Sequence, residues 1–167
     1  MPTITVRLFD YGTLKSELRS GDRVLILGCD GCARQSDGLG GEKGVNSLAD
    51  KLVADGFQVV RREVLPTACS PDQLTDRLQD KMIRAAFEEA DVIIPLTCRT
   101  GEGRAGQALP EIRMLKVTKT LGKGSFSPED GARLTEPFEG VDVEIEGPEG
   151  ISIGEAAAQL GLWPGSF

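Results

Sequence analysis

Histidine is absent from the 167 residues. That absence removes Ser-His-Asp and Cys-His catalysis and every mixed Cys/His zinc pattern. Basic runs and basic amphipathic stretches are also missing, and the net charge is −7 with a pI of about 4.7. Such a balance argues against a nucleic-acid or anionic-membrane surface. No apolar run approaches the roughly 18 residues of a membrane span. "MPTITVRLFD" lacks the basic start and apolar core of a secretory signal. A cytoplasmic protein is therefore expected, in which cysteines stay reduced unless they bind metal or do chemistry. Paired carboxylates spaced for acid–base work are missing as well, so catalysis within this chain is not expected.

What is present is ordinary in bulk and unusual in placement. The length suits one domain with a small appendage and can bury a core without disulfides. Hydrophobic residues make up 40% and charged residues 27%, a globular composition, while the 21 glycines cluster and predict tight loops. There are four cysteines: Cys29, Cys32, Cys69 and Cys98.

The pattern along the chain predicts a short strand over 3–9 and a short helix over 12–19. "RVLILG", 23–28, is a continuous apolar run, as expected of a parallel strand buried on both faces. A glycine-rich loop over 33–44 leads into a helix over 45–55, where Val45, Leu48, Ala49, Leu52 and Val53 share a stripe and Gly56 ends it. A strand is expected over 57–65. Ser70, Pro71 and Gln73 then read as a capped helix start, with Leu74, Leu78, Met82, Ala85 and Ala86 along one face to about Glu89. "DVIIPLT", 91–97, reads as another buried strand, with Pro95 hinting at an edge or bend. A second glycine loop over 99–107 and a fourth strand over 111–120 follow. The order predicts an α/β fold: an open, mostly parallel sheet with helices on both faces, flavodoxin- or Rossmann-like, over residues 1–120. Residues 121–167 read as a short irregular extension, in which "VDVEIEG" alternates like an exposed strand. Ser152 and Glu155 mark a C-terminal helix.

On that framework every cysteine lies just past the carboxyl end of a parallel strand, on the edge where open α/β sheets bind ligands. Independent buried thiols should instead fall within strands and helices. A thioredoxin-like dithiol at Cys29 and Cys32 fits the C-x-x-C spacing but leaves Cys69 and Cys98 without a role. A four-thiolate metal site uses all four. Structural zinc prefers two short C-x-x-C knuckles, whereas here 36 and 28 residues separate the remaining ligands. Both zinc, in a structural assembly module, and a [4Fe–4S] cluster accept four thiolates. The flanking glycines, Gly28, Gly31, Gly101 and Gly103, favour a cluster, because close backbone N–H groups can hydrogen-bond its sulfides.

"GEGRAG" at 101–106 matches the dinucleotide pattern G-x-G-x-x-G, but little helix is expected before Pro110 and no acidic residue ends the next strand. It reads instead as a loop letting backbone approach whatever Cys98 binds, and "GLGG" at 38–41 reads likewise. Arg99 and Arg104 are expected to be solvated.

"GCDGCA", "GGEKGVNSLADKL", the lone Cys69, "LTCRTGEG" and "ALPEIRML" together resemble the cysteine-rich MetV-type subunit, or C-terminal domain, of methylenetetrahydrofolate reductase, over about residues 20–125. The resemblance implies an iron–sulfur electron-transfer subunit in one-carbon metabolism. It implies a [4Fe–4S] cluster held by Cys29, Cys32, Cys69 and Cys98, and docking on a flavin-containing TIM-barrel partner that carries the FAD or FMN and does the substrate chemistry. A further electron-donor subunit is compatible with it. Gly41, Glu42 and Lys43 match the family's loop. This chain departs from relatives that carry further cysteines toward the C-terminus, because none follows Cys98. That puts a long electron wire in doubt and leaves 121–167 as a docking segment by elimination.

Overall fold

The computed structural model describes residues 1–167. In chain order the elements are β1 (Thr3–Arg7), α1 (Tyr11–Glu17), β2 (Arg23–Cys29), α2 (Cys32–Gln35), α3 (Glu42–Ala54), β3 (Gln58–Leu65), α4 (Pro71–Arg77), α5 (Lys81–Glu88), β4 (Val92–Leu96), α6 (Arg99–Ala108), β5 (Arg113–Met114), β6 (Thr118–Ser127), β7 (Gly131–Pro137), β8 (Ile151–Ser152) and α7 (Ile153–Leu160).

The apolar runs make a parallel sheet of order β3-β2-β4-β5. Its two central strands are buried on both faces, which is why they read as unbroken hydrophobic runs. Along β2, Val24 and Ile26 join Leu48, Leu52 and Ile94 in one core, below α1 and α3. Leu25, Leu27 and Cys29 join Leu74, Phe87 and Ala105 in the other, below α4, α5 and α6. Helices therefore cover both faces, as expected. Pro95 pairs opposite Leu27, beyond the end of β5, where β4 has no partner on its outer side and a missing N–H costs nothing.

A single parallel sheet is not the whole fold. A second, antiparallel sheet of order β1-β6-β7-β8 stands beside it. The strand expected over 3–9 belongs here, pairing Thr5 with Thr120 and Arg7 with Thr118. The expected fourth strand over 111–120 is divided: Arg113 and Met114 add briefly to the parallel sheet, and β6 opens the second. The residues after 121 are thus not an irregular extension. They form most of this sheet, with its own core of Ile4, Val6, Leu121, Leu134, Ile153 and Ala156 under α7. Residues 141–146 form no strand; Val141, Val143 and Ile145 pack against that core. Ser152 and Glu155 make the expected capping box, and Gly161 ends α7 in the left-handed region.

Two helices differ from expectation. The helix over 70–89 is broken, because the Asp80 carboxylate accepts from the N–H groups of Met82 and Ile83 and starts a new one. The break shifts the phase: Leu74 and Leu78 are buried, Phe87 turns inward, and Met82 is 84% exposed. Gln73 does not cap α4; its side chain accepts from the Thr67 N–H at 2.8 Å instead. The glycine loop expected over 99–107 is a ten-residue helix, α6. Its glycines cost helix propensity of about 1 kcal/mol each, but Ala105 and Leu109 are buried against the sheet and offset it.

Candidate metal centre at the carboxyl edge

The strand order reverses between β2 and β4, which makes that boundary the switch point where open α/β sheets hold ligands. Cys29 ends β2, Cys32 opens α2 shortly after it, and Cys98 is the N-cap of α6 just past β4. Cys69 lies between β3 and α4, next to the N-cap Ser70. All four thiols are reduced; Cys29 and Cys98 are buried, Cys32 and Cys69 half-buried.

The end of β2, the loop after β3 and the first turn of α6 meet at Ala68. Its N–H donates to the Cys29 sulfur at 3.4 Å. Its methyl group lies 3.0 Å from where a Cβ on Gly101 would stand, so only glycine lets the first turn of α6 come this close. Cys69 is the next residue. The Asp30 N–H donates to the Leu65 carbonyl at 2.9 Å, tying the C-x-x-C turn to the end of β3. The Cys69 thiol is pushed up, first by burial and then by the neighbouring Cys98, Cys29 and Cys32 thiolates. No group of three or more cysteine, aspartate or glutamate side chains is arranged to hold a metal ion. The donor set fits a four-thiolate group in kind.

The switch-point crevice itself is filled by the chain. A Cβ on Gly40 would strike the Leu96 carbonyl oxygen, stand 2.5 Å from the Ala33 methyl and 3.1 Å from the Cys29 carbonyl oxygen. Gly28 in turn lies against the Gly40 carbonyl and Val45. The "GLGG" loop is therefore packed between the ends of β2 and β4, approaching backbone rather than a thiol-bound group. Gly31 makes only ordinary contact, 3.5 Å from the Cys29 sulfur to where its Cβ would be. Gly103 and Gly106 face open space. Of the four glycines flanking the cysteines, Gly31 adjoins a thiol and Gly101 packs against Ala68, whereas Gly28 serves the neighbouring loop and Gly103 meets nothing.

The second sheet grips the residues beside two cysteines, a feature with no sequence signal. The Thr118 hydroxyl donates to the Thr97 carbonyl at 3.0 Å, and the Arg99 N–H donates to the Thr120 hydroxyl at 2.8 Å. The Thr5 N–H donates to the Ser36 hydroxyl at 3.1 Å, and that hydroxyl donates to the Cys32 carbonyl at 3.0 Å. Arg99 is exposed, as expected, and its guanidinium lies 5.4 Å from the Phe138 ring centroid.

No protein-family model, curated protein sequence or solved structure matches this chain. No helix is long and apolar enough to cross a membrane.

Proposed function

We propose that this chain is an iron–sulfur electron-transfer subunit, with Cys29, Cys32, Cys69 and Cys98 as the four thiolate ligands. The observation that supports it most is the meeting at Ala68 of the end of β2, the Cys69 loop and the first turn of α6, which follows Cys98, on the carboxyl edge of the parallel sheet. Four thiolates held by a preformed fold, without histidine or paired knuckles, suit a [4Fe–4S] cluster. When bound, such a group supplies one-electron transfer. The chain's own part is to hold the ligands and shield them. Cys29 is buried in one of the cores and Cys98 is buried outside them, while Cys32 and Cys69 stay half-exposed on the rim and leave one side within reach of a partner. Cys98 caps α6 without a side-chain bond to it, so its sulfur is free to act as a ligand.

Motif resemblance to the methylenetetrahydrofolate reductase subunit supports a flavoprotein partner of the TIM-barrel class, with substrate chemistry in that partner. Protein purified without oxygen should be brown, absorb broadly near roughly 400 nm and hold about four irons per chain. Colourless protein carrying one zinc would make the site a structural zinc centre of four cysteines and overturn the proposal.

A further inference from the structure

A second cleft lies beside the first turn of α6, next in sequence to Cys98. This cleft, of about 430 Å³, opens between α6, the 115–120 segment and the turn after β7. That volume is within the range of small-molecule pockets, and the junction of two structural units is a favoured place for them. Three cations line it, Arg99, Lys116 and Lys119, against two carboxylates, Glu102 and Glu139. None of the five takes part in a salt bridge; the ion pairs of the chain all lie elsewhere. This local excess of positive charge occurs in a chain of net charge −7. Burial pushes the Glu102 carboxyl up, opposed by Lys116. Phe138 holds the Arg99 guanidinium in place. The Thr120 hydroxyl accepts from the Arg99 N–H and keeps its own proton to donate.

We propose that this cleft binds a small oxyanion, a carboxylate or a phosphate ester, through Arg99, Lys116, Lys119 and the Thr120 hydroxyl. Unpaired cations around a partly enclosed cleft are the arrangement that a carboxylate or phosphate satisfies by charge-assisted hydrogen bonds. The ligand would lie beside the backbone that carries Cys98, and its binding needs no metal.

Amide chemical-shift titration of the full chain with inorganic pyrophosphate, and separately with citrate, tests the site. Saturable shifts at residues 99–102, 116–120 and 138–141 are expected. Lys119→Gln and Arg99→Gln should each weaken binding at least tenfold. Lys123→Gln, the same charge change farther along β6 and outside the cleft, should leave it unchanged. Saturation by one probe alone supports the site and assigns its class. Should Arg99→Gln lose its fold with its packing on Phe138, Lys116→Gln and Lys119→Gln carry the test. Equal affinity in all three lysine variants, or linear shifts without saturation, would overturn the proposal.

Discussion

The backbone N–H of Ala68 donates to the sulfur of Cys29 at 3.4 Å, across 39 positions of sequence. This bond joins the loop after β3 to the end of β2 and sets Cys69 beside the C-x-x-C turn.

Single substitutions at the four cysteines should separate ligation from folding. Cys69→Ser and Cys29→Ser should each abolish metal retention. Stability should divide them by burial. Cys29 is 4% exposed among Leu27, Ala33 and Leu65, so a serine hydroxyl there costs about 1–3 kcal/mol. Cys69 is half-buried and its replacement should cost under about 1 kcal/mol. Metal analysis together with urea unfolding of the metal-free variants checks both; a Cys69→Ser protein retaining full metal would remove Cys69 from the ligand set.

Alkaline pH should destabilise the metal-free protein. The Cys69 thiol titrates above its ordinary value of 9.0 in the folded state, through burial and then the other three thiolates. The folded state therefore holds this proton more tightly than the unfolded one. Its contribution is present below the unfolded value and lost as pH rises through the raised folded one. Urea midpoints on either side of pH 9 should fall with rising pH, and less steeply in Cys69→Ser. The same proton must leave when metal binds, so metal affinity should rise with pH.

Two glycines should respond in opposite directions to alanine. Gly40→Ala forces a methyl group against the Leu96 carbonyl and Ala33 and should cost about 1–3 kcal/mol. Gly103→Ala adds a methyl group in open space within α6 and should stabilise by about 0.5–1 kcal/mol. Chemical denaturation measures both. Metal content that falls in Gly103→Ala would give this glycine the cofactor role that its open surroundings do not suggest.

Glu63 should hold the Cys69 loop from behind. It is 4% exposed and receives Arg61 at 2.8 Å and Arg77 at 2.5 Å, joining β3 to α4 on either side of the loop. Glu63→Gln leaves two arginines without their carboxylate and should cost about 1–3 kcal/mol, the desolvation having been partly relieved by solvent at both guanidinium groups. Thiol-reagent kinetics at Cys69 should quicken in this variant. Unchanged kinetics with lowered stability would confine Glu63 to a packing role.

Much of the parallel sheet was legible in the sequence, because strands buried on both faces announce themselves as apolar runs. The stripe on α3 was legible too, through Val45, Leu48, Ala49 and Leu52. Ser152 and Glu155 are a local capping signal and were read without tertiary context. Asp80 was a capping signal of the same kind, hidden inside a stripe that continued in phase through Met82 to Ala86. The helix over Arg99–Ala108 was hidden by its glycines, whose cost is offset by the burial of Ala105 and Leu109, a tertiary effect that no local pattern records.

The sequence by itself placed every cysteine at or shortly after the end of an expected strand, since hydrophobic period is a local property; the structure puts Cys29 inside β2, as its last residue, and Cys32 inside α2, as its first. The sequence could not determine that Cys29, Ala68 and Gly101 touch, or that the switch-point crevice is closed by Gly40. Both depend on distances of a few ångströms between segments far apart in the chain, and packing alone sets those. Nor could it determine the second sheet. Residues at the two ends of the chain form it only because Thr5 and Thr120 pair across the whole α/β unit, and hydroxyls on that sheet then fix the backbone beside Cys32 and Cys98.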